Sequence, residues 1–265
     1  MNVVTALVLF GVIVLSLAAP WIAPFGASDG SLSRMLEMPS AEHRLGTDHL
    51  GRDMLSRILY AGRLSLGIGF GALLFGLTVG GGLGLITGYF GGRIDGFFMR
   101  GIDVMMSFPE ILFAIMIVSV LGFSTTNVVI AIGFGAIPSF ARLTRSLVMH
   151  IQGEDFTMAA RSLGAGDLRI IGKHVIPNIV SPLIVFCSLA LGRAILAEAG
   201  LSFIGLGIQS PDTSWGVLVA EGRQYLRSYP HLSVLPGLAI MVTVFCLNIL
   251  GDSLRDALDP RLRGT

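Results

Sequence analysis

Apolar residues gather into six runs along this chain, separated by polar or glycine-rich breaks. A helix needs about 20 mainly apolar residues to cross the hydrocarbon of a bilayer, and that length is the ruler for each run. The first extends from Val3 to about Trp21, where Pro20, Trp21 and Pro24 close it in an interface-like cluster. The second, Leu64 to Phe90, is the clearest. Ile111 to Phe123 and Val128 to Ala141 hold only 13 and 14 positions, short enough that a re-entrant pair stands as an alternative to two full crossings. The fifth runs from Ile179 to about Ala199 and the sixth from Leu232 to Leu250. The pattern predicts an all-α membrane protein with six transmembrane helices. It divides into a first helix over 1–21, an extracytoplasmic segment over 22–63 and a five-helix core over 64–265, with a polar loop at 142–178. Six crossings, or four if the middle pair re-enters, put both termini on one side.

Composition agrees: 53% of the residues are hydrophobic and 13% charged, with a mean hydropathy of +0.78, outside the range of soluble domains. A net charge of +1 supplies no basic field, so no nucleic-acid partner is expected. The two cysteines, Cys187 and Cys246, lie in apolar runs and read as packing residues. Ala18-Ala19 offers a small-residue cleavage site after the first run, but no Lys or Arg precedes the apolar stretch, which favours a retained anchor. With the termini inside, the inner segments carry ten basic residues, Arg93, Arg100, Arg142, Arg145, Arg161, Arg169, Lys173, Arg255, Arg261 and Arg263. The outer segments carry seven, so the charge rule favours cytoplasmic termini by a modest margin.

Within the second run Gly76, Gly80, Gly84 and Gly88 repeat every four residues, a small face that lets another helix come close. Each four-residue step drifts about 40° beyond a full turn, so the stripe should wind around the helix and suit a crossing neighbour. Arg193 and Glu198 stand out in the fifth run, where an unpaired charge costs several kcal/mol. Five residues apart they point about 140° from each other and do not pair within the helix. Either they belong to a wet path or gate, or Glu198 caps near the outer surface while Arg193 meets a neighbouring helix.

Catalytic constellations are missing from the sequence. The single lysine, Lys173, sits in no phosphate-binding loop, and the five histidines form no metal-ligand spacing, so any energy source lies in another chain. The polar stretch MAARSLGAGDLRIIGKHVIPN, residues 158–178, reads as a helical knuckle. Glu154 to Leu163 suits a short amphipathic helix, Gly164 a turn, Asp167 the cap of a second helix reaching His174, and Pro177 its stop. Ala159 and Ala160 leave one face small enough to seat in a groove, with Arg161, Arg169 and Lys173 as a polar rim. A docking element and a solvated helical loop both fit these residues.

The spacing A-A-x-x-x-G followed by x-x-[LI]-P, here Ala159, Ala160, Gly164, Ile176 and Pro177, resembles the cytoplasmic loop signature of ABC importer permeases. Five further blocks resemble the peptide branch of that family, and its second permease subunit. They are LGTDHLGRDMLSRILYAGRLSLGIG (45–69), GYFGGRIDGFFMRGIDVMMSFP (88–109), AILAEAGLSFIGLG (194–207), PDTSWG (211–216) and GDSLRDALDPRLR (251–263). Met158 stands where the signature usually has Glu, which removes one polar contact.

The resemblance implies a type I ABC importer permease fold whose coupling helix, with Met158, Ala159, Ala160, Arg161, Gly164, Ala165, Asp167, Ile176 and Pro177, docks on an ATPase. It implies a heterodimer with a homologous permease, two ABC ATPase subunits that bind ATP and Mg2+, and an extracytoplasmic substrate-binding protein. This chain would hold no cofactor and sit as a multi-pass subunit in the bacterial cytoplasmic membrane. Peptides lead as cargo, dipeptides ahead of longer ones, with nickel and glutathione on the same scaffold. A secondary transporter would show paired halves, and no internal repeat is visible. The outer loop 201–231, with Pro211 and Trp215, suits a lid or a contact for the delivering protein. Asp95, Arg100 and Asp103 suit either an ion-pair network on an inner-surface helix or an ATPase contact.

Overall fold

A computed structural model describes residues 3–258 as an all-helical bundle. The last tail, including Arg261 and Arg263 and the end of the 251–263 block, lies outside the described residues. Among the described residues four helices are long and apolar enough to cross a membrane: α2 (Met54–Phe90), α5 (Thr125–Gln152), α7 (Asp167–Phe203) and α9 (His231–Leu258). A shorter apolar helix, α1 (Val3–Leu17), precedes them. Between α2 and α5 lie α3 (Gly92–Met106) and α4 (Glu110–Leu121), bent by 89° at the intervening break. The six apolar runs thus become four long spans, one bent pair and one short helix. Shorter helices include α6 (Asp155–Ser162) and α8 (Trp215–Gly222).

The second span begins at Met54, well before the apolar run at Leu64, because local chemistry starts the helix early. Asp53 caps it by accepting from the Ser56 amide at 2.8 Å and the Ser56 hydroxyl at 2.7 Å. A π-helical turn over Leu77–Gly81 interrupts α2. Such a turn winds more slowly than an α-helix and takes back the drift of a four-residue repeat. The glycine stripe therefore does not wind away but faces α5 along its length. A Cβ on Gly76 would stand 2.9 Å from the Ala136 Cβ, on Gly80 2.5 Å from the Ile137 carbonyl, on Gly84 2.4 Å from the Ala141 carbonyl, and on Gly88 2.8 Å from the Arg145 carbonyl. Backbone meets backbone along this seam, which is how small residues hold helices together where lipid offers no hydrophobic drive.

The fourth run is a complete helix, α5, started by Ser124, whose hydroxyl accepts from the Asn127 amide at 3.1 Å. The third run is not a full crossing by itself: α4 has 12 residues and reaches roughly 18 Å. Pro109 precedes it, and its ring disfavours helix at Phe108, which sets the bend. On the other side of that bend α3 is amphipathic and is tied to α5 by ion pairs. Arg145 grips Asp95 with two bonds of 2.5 and 2.6 Å, and Arg142 meets Asp103 at 2.7 Å, while Arg100 is exposed. Asp95 and Asp103 thus belong to an intramolecular ion-pair network.

Pro177 does not stop a separate second knuckle helix, and α7 runs without a break from Asp167 to Phe203. A π turn over Ile171–Val175 precedes the proline: the Ile176 amide reaches back to the Ile171 carbonyl, five residues away, and the helix continues through Pro177.

Candidate functional site

Two places on this scaffold concentrate chemistry: a knuckle at one end of the bundle and a charged cleft halfway along it. The knuckle is α6, the turn at Gly164 and the start of α7. Gly164 takes φ +83°, a conformation that a residue with a Cβ adopts at a cost, and the turn closes with the Ala165 amide bonded to the Ala160 carbonyl at 3.1 Å. Asp167 begins α7 but does not cap it. Its carboxylate instead accepts the Tyr89 hydroxyl of α2 at 2.8 Å, and the Arg161 guanidinium lies over the Tyr89 ring at 5.8 Å. At the end of α5 the Gln152 amide donates to the Gly88 and Tyr89 carbonyls at 2.9 and 2.7 Å. Tyr89, Val148, Ile170, Val175 and Ile179 form a buried cluster beneath. The knuckle is thereby fixed to the ends of α2, α5 and α7 at once.

What it presents outward is an apolar patch rimmed by the exposed Arg161, Arg169 and Lys173. Leu163 and Leu168 are 89% and 88% exposed, and Met158 and Ala159 are exposed beside them, with Ala160 half-buried. Residues 158 to 167 share this tip. Ile176 and Pro177 do not: they sit in α7 roughly two and a half turns beyond Asp167.

Of the two charges in the fifth run, only Arg193 faces open space. Its guanidinium lies 5.0 Å from the Phe186 ring, and together with Glu110 it lines a cleft of about 240 Å3, walled otherwise by apolar residues such as Ile111, Ala114, Leu196 and Leu201. A narrow recess of about 20 Å3 beside it reaches Ser139 and Phe140 and is lined by the same two charges. Glu110 went unweighed in the sequence because it heads an apolar run. Yet it is the only charged residue between Asp103 and Arg142, and that isolation was the available signal.

Glu198 is sealed within the subunit, with no exposed surface, so it lines no path. Its Oε1 accepts from Ser202 at 2.7 Å and from Ser214 at 2.6 Å, and its Oε2 from Ser65 at 3.3 Å. Ser65 in turn accepts the Trp215 amide at 3.0 Å, and Ser214 the Val217 amide at 3.2 Å. The carboxylate therefore fastens α8 to α2 and α7. Trp215 is buried, with its indole N–H on the Ile58 carbonyl at 3.0 Å, so the 201–231 loop closes over the bundle as a lid.

Near this lid the segment before α2 joins an ion network. Asp48 accepts Arg52 Nε at 2.6 Å and Arg57 Nη1 at 2.5 Å, and Arg57 also meets Glu221 of α8 at 2.8 Å. Asp48, His49 and Glu221 stand close enough to suggest a cation site, but both carboxylates already carry guanidinium partners. Burial would raise the Asp48 carboxyl. The Arg52 and Leu50 amides and the Arg57 and Arg52 charges outweigh it and hold the group below the ordinary carboxylate value.

The chain is 43% identical over 265 residues, covering 98% of it and 86% of the relative, to the dipeptide transport system permease protein of Alkalihalophilus pseudofirmus. It is 42% identical, covering 99% of it and 88% of the relative, to the glutathione transport system permease protein of Pectobacterium atrosepticum. Its backbone matches an inward-facing methionine ABC transporter with a TM-score of 0.62 over 78% of this chain and 98% of that one, at 19% identity, a likeness of fold. Residues 80–264 match the family described as binding-protein-dependent transport system inner membrane component. With a knuckle braced on three spans, a bundle of that fold and full-length relatives of this kind, the chain belongs to the binding-protein-dependent transport permeases, of the peptide and nickel ABC importer group.

Proposed function

We propose that this chain forms half of a translocation path for dipeptides or other short peptides, paired with a homologous permease and driven by two ATPase subunits. An extracytoplasmic binding protein delivers the cargo, both termini are cytoplasmic, and the knuckle docks on one ATPase. The observation that carries this reading is the knuckle itself, an exposed apolar tip bound by Tyr89, Gln152 and Asp167 to the ends of α2, α5 and α7. A push on such a tip moves span ends rather than a loop. The chain needs no chemistry of its own, because ATP-driven closure of the ATPases favours one arrangement of the spans over the other by differential binding. The cargo assignment rests on likeness to dipeptide and glutathione permeases.

The test is Ala160→Glu in the complete transporter. ATP hydrolysis should persist while uptake falls roughly ten-fold, because the tip no longer seats and the states are no longer linked. Normal uptake by that variant overturns the docking role. A binding screen of the partner binding protein against dipeptides, oligopeptides, glutathione and nickel checks the cargo.

A further inference from the structure

We propose that Glu110 and Arg193 form a cargo-reading site near the middle of the membrane that takes a short peptide by its two free ends, the ammonium at Glu110 and the carboxylate at Arg193. The inference rests on the permease reading above and deepens it by assigning recognition to this chain as well as to a delivering protein.

Depth comes first. Arg193 lies ten residues before the end of α7 at Phe203, and Glu110 lies eleven before the end of α4 at Leu121. Glu110 packs on Gly135, ten residues into α5, where an added Cβ would come within 2.5 Å of its Cγ. At 1.5 Å per residue all three counts give about 15 Å from the same end of the bundle, half of a hydrocarbon layer of about 30 Å. Charges at that depth cannot face lipid cheaply and mark a wet path or a polar partner.

Their arrangement comes next. Among the described residues neither has an ion-pair partner within 4.0 Å, so they form no direct contact with each other. Each is held in place instead, Glu110 in the notch left by Gly135 and Arg193 over the Phe186 ring. Both line the 240 Å3 cleft, whose remaining walls are aliphatic. One fixed anion, one fixed cation and an unselective apolar wall match a cargo class with constant charged ends and variable side chains. A bare cation would be repelled by Arg193 and a plain anion by Glu110, whereas a zwitterion satisfies both.

The experiment uses the complete transporter in proteoliposomes, with dialanine as the probe. Arg193→Gln and Glu110→Gln should each lower saturated ATP-driven dialanine uptake roughly ten-fold or more, the scale of one lost charge-assisted hydrogen bond. Arg193→Lys should restore most of it. A second readout separates cargo contact from a structural charge. With Cys187→Ser and Cys246→Ser as background, saturating dialanine and binding protein should slow thiol labelling of Leu196→Cys, an exposed wall position that leaves both charges in place, several-fold. Unchanged uptake in both glutamine variants, or labelling indifferent to dialanine, overturns the site while wild-type uptake leaves the permease reading standing. A wild-type complex that accumulates nickel and no peptide overturns the cargo reading and this site with it, and one with no ATP-driven uptake overturns the permease reading as well.

Discussion

A carboxylate with no exposed surface has to be satisfied by its neighbours, and Glu198 meets that need with three serine hydroxyls from three parts of the chain. Glu198→Ala leaves Ser65 and Ser214 without an acceptor in a dry interior and opens a void beside them. The expected cost is about 2–4 kcal/mol, seen as faster thermal inactivation of the detergent-solubilised transporter and easier proteolysis at the 201–231 lid. Glu198→Gln keeps Oε1 for Ser202 and Ser214 and turns an N–H toward Ser65, which can accept, so it should cost less than half as much. Equal losses for the two variants would mean that the packing, not the acceptor, holds the lid. The sequence exposed Glu198 as a charge in an apolar run, but not its partners: Ser65 stands 133 residues away, and an isolated serine in a helix says nothing about what it will meet.

Helices were more legible than their joints. The runs at 64–90, 128–141, 179–199 and 232–250 all became helix, and the run at 3–21 did so through Leu17, because burying an apolar stretch in lipid forces its backbone to bond internally. The α6 helix and the Gly164 turn were equally readable, since each depends on local chemistry. The π turns before Gly82 and Ile176 were not, because a wide turn repays its cost only through tertiary contacts that a local pattern does not encode. One such turn keeps the glycine stripe on α5, which makes the seam testable. Gly84→Ala would drive a methyl to within 2.4 Å of the Ala141 carbonyl and should destabilise by about 1–3 kcal/mol, or force α2 and α5 apart. Gly82→Ala, with nothing within 4 Å of its Cβ, should be neutral or slightly stabilising. Folded yield and thermal half-life of the two variants, measured side by side, decide it, and matched behaviour would remove the seam from the account.

Across the whole molecule the two ends use charge differently. At the knuckle end part-buried and exposed ion pairs and the Tyr89–Asp167 bond act beside glycine packing and apolar clusters, whereas at the other end a network around the buried Asp48 and Arg57 binds the 22–53 segment to α2 and α8. That network joins Asp48 to Glu221 through Arg57, whose bond to Glu221 alone spans 164 residues of sequence, and no periodicity in the segment foretold it. It also gives this end a pH dependence. The folded Asp48 carboxyl titrates below its unfolded value of about 3.9, so the unfolded state binds the proton first and acid favours release. The stabilisation is complete above that unfolded value and is lost as pH falls through the lower folded one. Between pH 5 and 8 the segment should therefore stay closed, and it should loosen only below about pH 4. Hydrogen exchange over residues 30–53 in the intact transporter reads this directly. In Asp48→Asn the segment should exchange faster already at neutral pH, with a flatter response to acid, because the neutral amide cannot hold two guanidinium groups. Loosening of the native segment near pH 6 would take the acid sensitivity away from Asp48 and overturn this account.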